Sequence, residues 1–384
     1  MGSSRIFDGI VRTDDSPCGH NEATATFLNR AAGASWEQVR HLLEEWASHI
    51  PALDRGDLVG RLRSPINSQF AGAFWELYLH ETLKRCGFVV TIHPNVEGVR
   101  RKPDFLVTSK ESSFYVEAKA LLTPEADPGA NGRRRQLYDS LNKISSPNFF
   151  LAINESAIGP SDLPTRPLRT ALEKWLDSLD PGAISLTAFD EDPSNTFPWV
   201  RDGWEIRFRA IPIRADARGQ PDHRPLGVFG PSAAWVNSDL KAALSDKGSA
   251  YGELGHPLVI AVNTFGFSND DFDVMNALYG SLQIRVSVHD PGADAVEMRA
   301  RDGYWAAGEW AHRHVSGLLI GRSLTPWNVA QNVPTLWRHP HPYADAPSLG
   351  TWRIASVVDD KINFTDARES IHSFLGLPAD WPAE

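Results

Sequence analysis

Two apolar runs, Phe105-Leu106-Val107 and Phe114-Tyr115-Val116, stand at equal distance from Lys110-Glu111. Runs of this kind around a short polar segment read as the two strands of a hairpin, and a symmetrical turn fixes their register. In that register Asp104, just before the first run, falls opposite Glu117, just after the second. Directly opposed residues have Cβ atoms about 5 Å apart, so two carboxylates placed there repel. They need a cation between them or a raised pKa on one of them. A divalent metal with oxygen ligands satisfies both. Strand side chains alternate faces, so Glu117 and Lys119 share a face, an acid beside a base.

The segments on either side extend the pattern. Gln69 to Cys86 has helical spacing, with Trp75, Leu79, Leu83 and Cys86 on one stripe, and Gly87 supplies a C-terminal stop. Glu76 borders that stripe, where an acid is costly unless paired or metal-bound. Phe88 to Ile92 reads as a strand, Arg133 to Ile144 as a helix and Phe149 to Ile153 as a further strand. The expected order is helix, three strands, helix, strand.

Pro103-Asp104, twelve residues, then Glu117-Ala118-Lys119, set in this order of elements, resembles the PD-(D/E)xK nuclease superfamily, the restriction-endonuclease-like proteins. The resemblance covers roughly residues 65 to 155. It implies an αβββαβ core and hydrolysis of phosphodiester bonds, in DNA first of all, in a defence or repair setting. It also implies Mg²⁺ or Mn²⁺ held by Asp104 and Glu117, with the Ala118 carbonyl and Glu76 as further ligands, and Lys119 acting on the attacking water. The chain departs from the RecB-like pattern Gln-x-x-x-Tyr, because Gln136 is followed by Leu137-Tyr138-Asp139-Ser140. A second reading stays open: a non-catalytic nucleic-acid-binding or assembly module that keeps the fold without turnover. In a purely structural reading of the motif, Lys119 forms a surface salt bridge of little worth, and Glu76 pairs with His80 or Lys84.

Two basic clusters flank the motif, Arg100-Arg101-Lys102 and Arg133-Arg134-Arg135. Each suits phosphate contacts and equally suits a solvated surface. The net charge of −10 argues against a protein that merely coats nucleic acid. No apolar run is long enough for a membrane span, so no membrane partner is expected, and Met1 to Arg5 lacks a signal-peptide core. Two cysteines are too few for a disulfide framework or a cysteine-based zinc site. A cytoplasmic protein is the simplest reading, with a homodimer or a partner protein left open.

The expected division is a helical N-terminal cap at 1–62, the nuclease-like core at 63–157 and a mixed α/β domain of unassigned role at 158–384. In the cap, Ser35 is the expected N-cap of a helix running to residue 49. In the last part, 204–213 and 257–262 read as strands and 240–254 as a helix. Asp270, Asp271 and Asp273 suit the first turn of a helix. The pairs His312/His314 and His339/His341 lack a convincing third zinc ligand. Most of the thirteen tryptophans are expected in the core.

Overall fold

The computed structural model describes residues 5–98, 101–122, 128–184, 195–219, 226–227, 240, 244, 254–265, 270–285, 296–305, 310–358 and 361–383. The chain is mixed α/β and forms two compact units. The first comprises residues 1–16, 23–123 and 234–384, the second residues 17–22 and 124–233.

The first unit is built on an eight-stranded mixed sheet in the order β1-β2-β3-β8-β11-β12-β13-β14. Strands β1 (Val89–Ile92), β2 (Phe105–Thr108) and β3 (Ser113–Leu121) form an antiparallel meander. Strand β8 (Leu258–Thr264) then runs parallel to β3, and β11 (Val315–Arg322) parallel to β8. Strands β12 (Thr335–Arg338), β13 (Arg353–Val358) and β14 (Lys361–Thr365) complete the sheet, while β9 (Leu282–Arg285) and β10 (Val296–Arg299) form a separate antiparallel pair. Every residue of β8 is buried, as its unbroken apolar run requires of a strand covered on both faces.

Helices α1 (Thr24–Arg30), α2 (Ala34–Ser48), α3 (Ala52–Leu62) and α4 (Asn67–Arg85) precede the sheet. Helix α4 is apolar around most of its circumference, and it buries Phe70, Phe74, Trp75, Leu77, Tyr78 and Leu79. It stops as expected: Gly87 takes φ +86°, the Gly87 N–H reaches Lys84 O, and the Phe88 N–H reaches Leu83 O. The expected N-cap of α2 is displaced. Gly33 occupies that position, and the Ser35 hydroxyl, already inside the helix, donates to Ala383 O at 3.0 Å.

The second unit carries α5 (Pro128–Leu141), α6 (Thr165–Asp177) and strands β4 (Phe149–Ala157), β5 (Thr196–Arg201), β6 (Trp204–Pro212) and β7 (Leu226–Gly227). Its sheet order is β5-β6-β4-β7, over a core that includes Leu137, Leu141, Leu168, Leu172, Trp204 and Phe208.

The boundaries expected at 62 and 157 therefore do not divide this chain. The helix and strand expected to complete the core after β3 exist as α5 and β4, but β4 pairs with β6 in the other unit. The strand beside β3 is β8, reached only after residues 124–257. Local periodicity identifies strands but does not say which strand a given edge takes as its neighbour. The expected helix at 240–254 lies largely outside the described residues. Leu240 and Leu244 are described, and both are buried in the core against Tyr115, Leu258 and Ile260.

Candidate functional site

The hairpin has the expected register. Phe105 pairs with Val116 and Thr108 with Ser113, and Lys110-Glu111 sits at the turn. Asp104 lies one step before the first paired residue and so meets Glu117 at the open end of the hairpin. Glu117 is buried, with 1% of its surface exposed, whereas Lys119 is exposed.

Asp104 is fixed by the strand it faces. Its Oδ2 accepts the Ala118 N–H at 2.7 Å, in the place of a bond to a neighbouring strand. The alternation of backbone direction follows from Tyr115, whose N–H bonds Pro257 O on the β8 side. Odd-numbered residues of β3 thus turn their backbone groups toward β8. Even-numbered ones turn toward β2, with N–H and C=O on the same side. The Ala118 carbonyl therefore faces the notch where β2 has not yet begun, beside Asp104. Two opposed carboxylates and a backbone carbonyl are hard oxygen donors, and in kind they fit a Mg²⁺ or Mn²⁺ ion. Among the described residues, no group of three or more His, Cys, Asp or Glu is arranged to hold a metal. A cation at this notch would draw its remaining ligands from water.

Glu76 does not join them. Helix α4 packs on the sheet face that carries Phe105, Val116 and Ala118. The His80 ring lies 6.5 Å from that of Phe105, and Trp75 lies against Gly321. Glu117 and Lys119 project from the opposite face, with Tyr115 and Ile260. Both Glu76 oxygens are taken by Arg61, at 2.7 and 2.6 Å, and Arg61 also holds Asp57 at 2.8 Å. The acid bordering the apolar stripe is thus satisfied by an ion pair, with a partner from α3 in place of the expected His80 or Lys84.

The sequence reading missed His93. It follows β1 in a left-handed conformation at φ 45°, donates its N–H to Asp104 O at 2.9 Å, and places Nε2 3.8 Å from Asp104 Oδ1. The signal was available, because continuing the β1–β2 register by one residue puts position 93 opposite 104.

The basic residues separate. Arg101 and Lys102 are exposed on the segment leading to Asp104, and Arg100 lies outside the described residues. Arg133, Arg134 and Arg135 are half-buried on α5, in the second unit. The three aspartates begin a helix, α7 (Asp271–Tyr279), where Asp270 caps the Asp273 N–H at 2.9 Å. The exposed His312 stacks on Tyr304 at 4.2 Å, and the buried His339 contacts Ala311 O through Nε2 at 2.8 Å. Trp46, Trp75, Trp204, Trp305 and Trp337 are fully buried.

No family model, curated protein or solved structure matches the chain. Among the described residues, no helix is long and apolar enough to cross a membrane.

Proposed function

We propose that this chain is a metal-dependent nuclease with a restriction-endonuclease-like core, cleaving phosphodiester bonds, in DNA first of all. In this reading the core is α4, β1, β2 and β3, followed by the buried Leu240 and Leu244 and by β8, with residues 124–233 inserted after β3. The observation that carries it is the Asp104–Ala118 bond at the hairpin mouth. It fixes one acid on the strand that carries a second, Glu117, at the facing register position, with Lys119 two residues further along the same face.

Asp104, Glu117 and the Ala118 carbonyl would hold Mg²⁺ or Mn²⁺. The ion would neutralise phosphate charge and lower the pKa of a bound water. Lys119 stands about 7 Å along the strand from Glu117, so it serves the water or the charge developing on the phosphate. Arg101 and Lys102 contribute phosphate contacts that position the strand. Glu76 is left out of the metal set.

The test is a cleavage assay on DNA and RNA with Mg²⁺ or Mn²⁺. Asp104→Asn and Glu117→Gln are each expected to abolish cleavage, and wild-type rates in either folded variant would remove the site. Lys119→Ala is expected to keep metal affinity and lose most of the rate.

Two observations favour a second reading, a nucleic-acid-binding or assembly module without turnover. The third acid is committed to Arg61, and Glu117 is almost wholly buried. Such a module would bind Mn²⁺ no better than the Asp104→Asn/Glu117→Gln double variant.

A further inference from the structure

The sheet face that carries Glu117 and Lys119 continues across two more strands to a cluster no motif marks. Lys119 pairs with Val262, and Val262 with Ile320. Two residues on, Leu121, Thr264 and Arg322 stand level at the ends of β3, β8 and β11. Arg322 therefore shares the face of Lys119. Two strand spacings across and two residues along put their Cα atoms about 12 Å apart.

Arg322 meets Arg353 at a single carboxylate. Arg322 Nη2 bonds Asp271 Oδ1, and Arg353 Nη1 bonds Asp271 Oδ2 at 2.7 Å. Two guanidiniums on one carboxylate leave a positive surplus within the triad. Asp366, 94% exposed, approaches Arg353 Nε only at 3.9 Å, and Arg322 Nε is a buried donor with no partner among the described residues. Arg353 sits over the Phe364 ring, its Cζ 3.8 Å from the centroid. Asp271 opens α7, so helix N–H groups point the same way. Asp270 and Asp273 lie on the same turn, and Asp270 is committed to capping.

We propose that Arg322 and Arg353 bind a phosphate of the nucleic-acid strand flanking the cleavage position, with Asp271 as the internal counter-ion that holds both guanidiniums ready. The site rests on the nuclease reading. At a rise of about 3.4 Å per nucleotide, the 12 Å interval spans roughly three to four steps of a duplex strand. Planar guanidiniums with several donors suit phosphate oxygens better than lysines would.

The experiment measures binding of the 384-residue chain to fluorescein-labelled single-stranded and duplex DNA, by anisotropy, across a salt series without divalent metal. Arg322→Ala and Arg353→Ala are each expected to weaken binding about tenfold at low salt. Each should also lower the slope of log affinity against log salt by about one. Asp271→Asn removes the internal anion and is expected to tighten binding severalfold, which a purely structural ion pair would not do. Unchanged affinity and slope in folded arginine variants, or weaker binding by Asp271→Asn with an intact melt, overturns this site while a cleaving wild type keeps the nuclease reading. A wild type that neither binds nor cuts nucleic acid overturns both.

Discussion

In the proposed site Asp104 would combine two tasks in one side chain. It would supply an oxygen to a cation, and it already takes the Ala118 N–H that β2 is too short to reach. The two are separable by substitution. Asp104→Asn keeps an acceptor for that N–H, whereas Asp104→Ala orphans it at a cost of about 1–3 kcal/mol. Urea denaturation is expected to show Asp104→Ala clearly less stable than Asp104→Asn, with cleavage lost in both. Glu76 behaves differently. Its pair with Arg61 is partly exposed, at 21% and 27%, so Glu76→Gln is expected to cost at most about 1 kcal/mol. It should leave Mn²⁺ affinity unchanged, which isothermal titration would check. The two acids also differ in how far the sequence revealed them. Asp104 opposite Glu117 followed from spacing alone, because a symmetrical hairpin leaves no choice of register. The partner of Glu76 did not, because Arg61 lies one helix earlier, and nothing in the spacing of α4 states how α3 packs against it.

Helix α4 carries buried titratable groups on an otherwise apolar surface. Burial, reinforced by nearby Lys84, pushes the His80 pKa down from 6.5 to about 4. Just past β12, burial brings His339 to about 4 as well. The folded protein holds both rings neutral, while the unfolded chain takes up protons near pH 6.5. Between about 6.5 and about 4 the unfolded state binds more protons, so stability falls as pH drops through that window. It is fully present above it. Each group can contribute up to roughly 3 kcal/mol. Urea midpoints are expected to fall between pH 7.5 and pH 5, and His80→Phe to flatten part of that fall. The helix end is a second element-scale test. Gly87→Ala forces a Cβ into φ +86° and is expected to cost about 1 kcal/mol, measured as a lower Tm. This stop was legible, since a glycine closing a helical apolar stripe has few other meanings. The start of α2 was not, because Gly33 replaces a side-chain cap and the Ser35 hydroxyl is drawn to the far end of the chain.

At the scale of the whole molecule, residues 124–233 interrupt the first unit and carry a core of their own around Trp204, Leu168 and Phe208. Expressed with the Pro17–Glu22 segment, this stretch is expected to melt cooperatively, followed by tryptophan emission. A gradual, featureless transition would show that its core is insufficient alone. The interruption also marks the limit of what local patterns convey. Both β4 and β8 are strongly apolar strands, and only three-dimensional pairing shows that β8 is the neighbour of β3. That pairing has a consequence for how the protein is made. Leu121 and Leu258 lie more than 130 residues apart, and translation proceeds at about 5–20 residues per second. For roughly 7 to 27 seconds after β3 leaves the ribosome, its partner does not exist. The hairpin that holds the two acids must wait with one open edge, while the intervening stretch is free to fold. Late closure of distant strands slows folding and exposes edges to wrong partners. Pulse-labelled hydrogen exchange during refolding should therefore find the amides of β3 and β8 protected after those of β4 and β6.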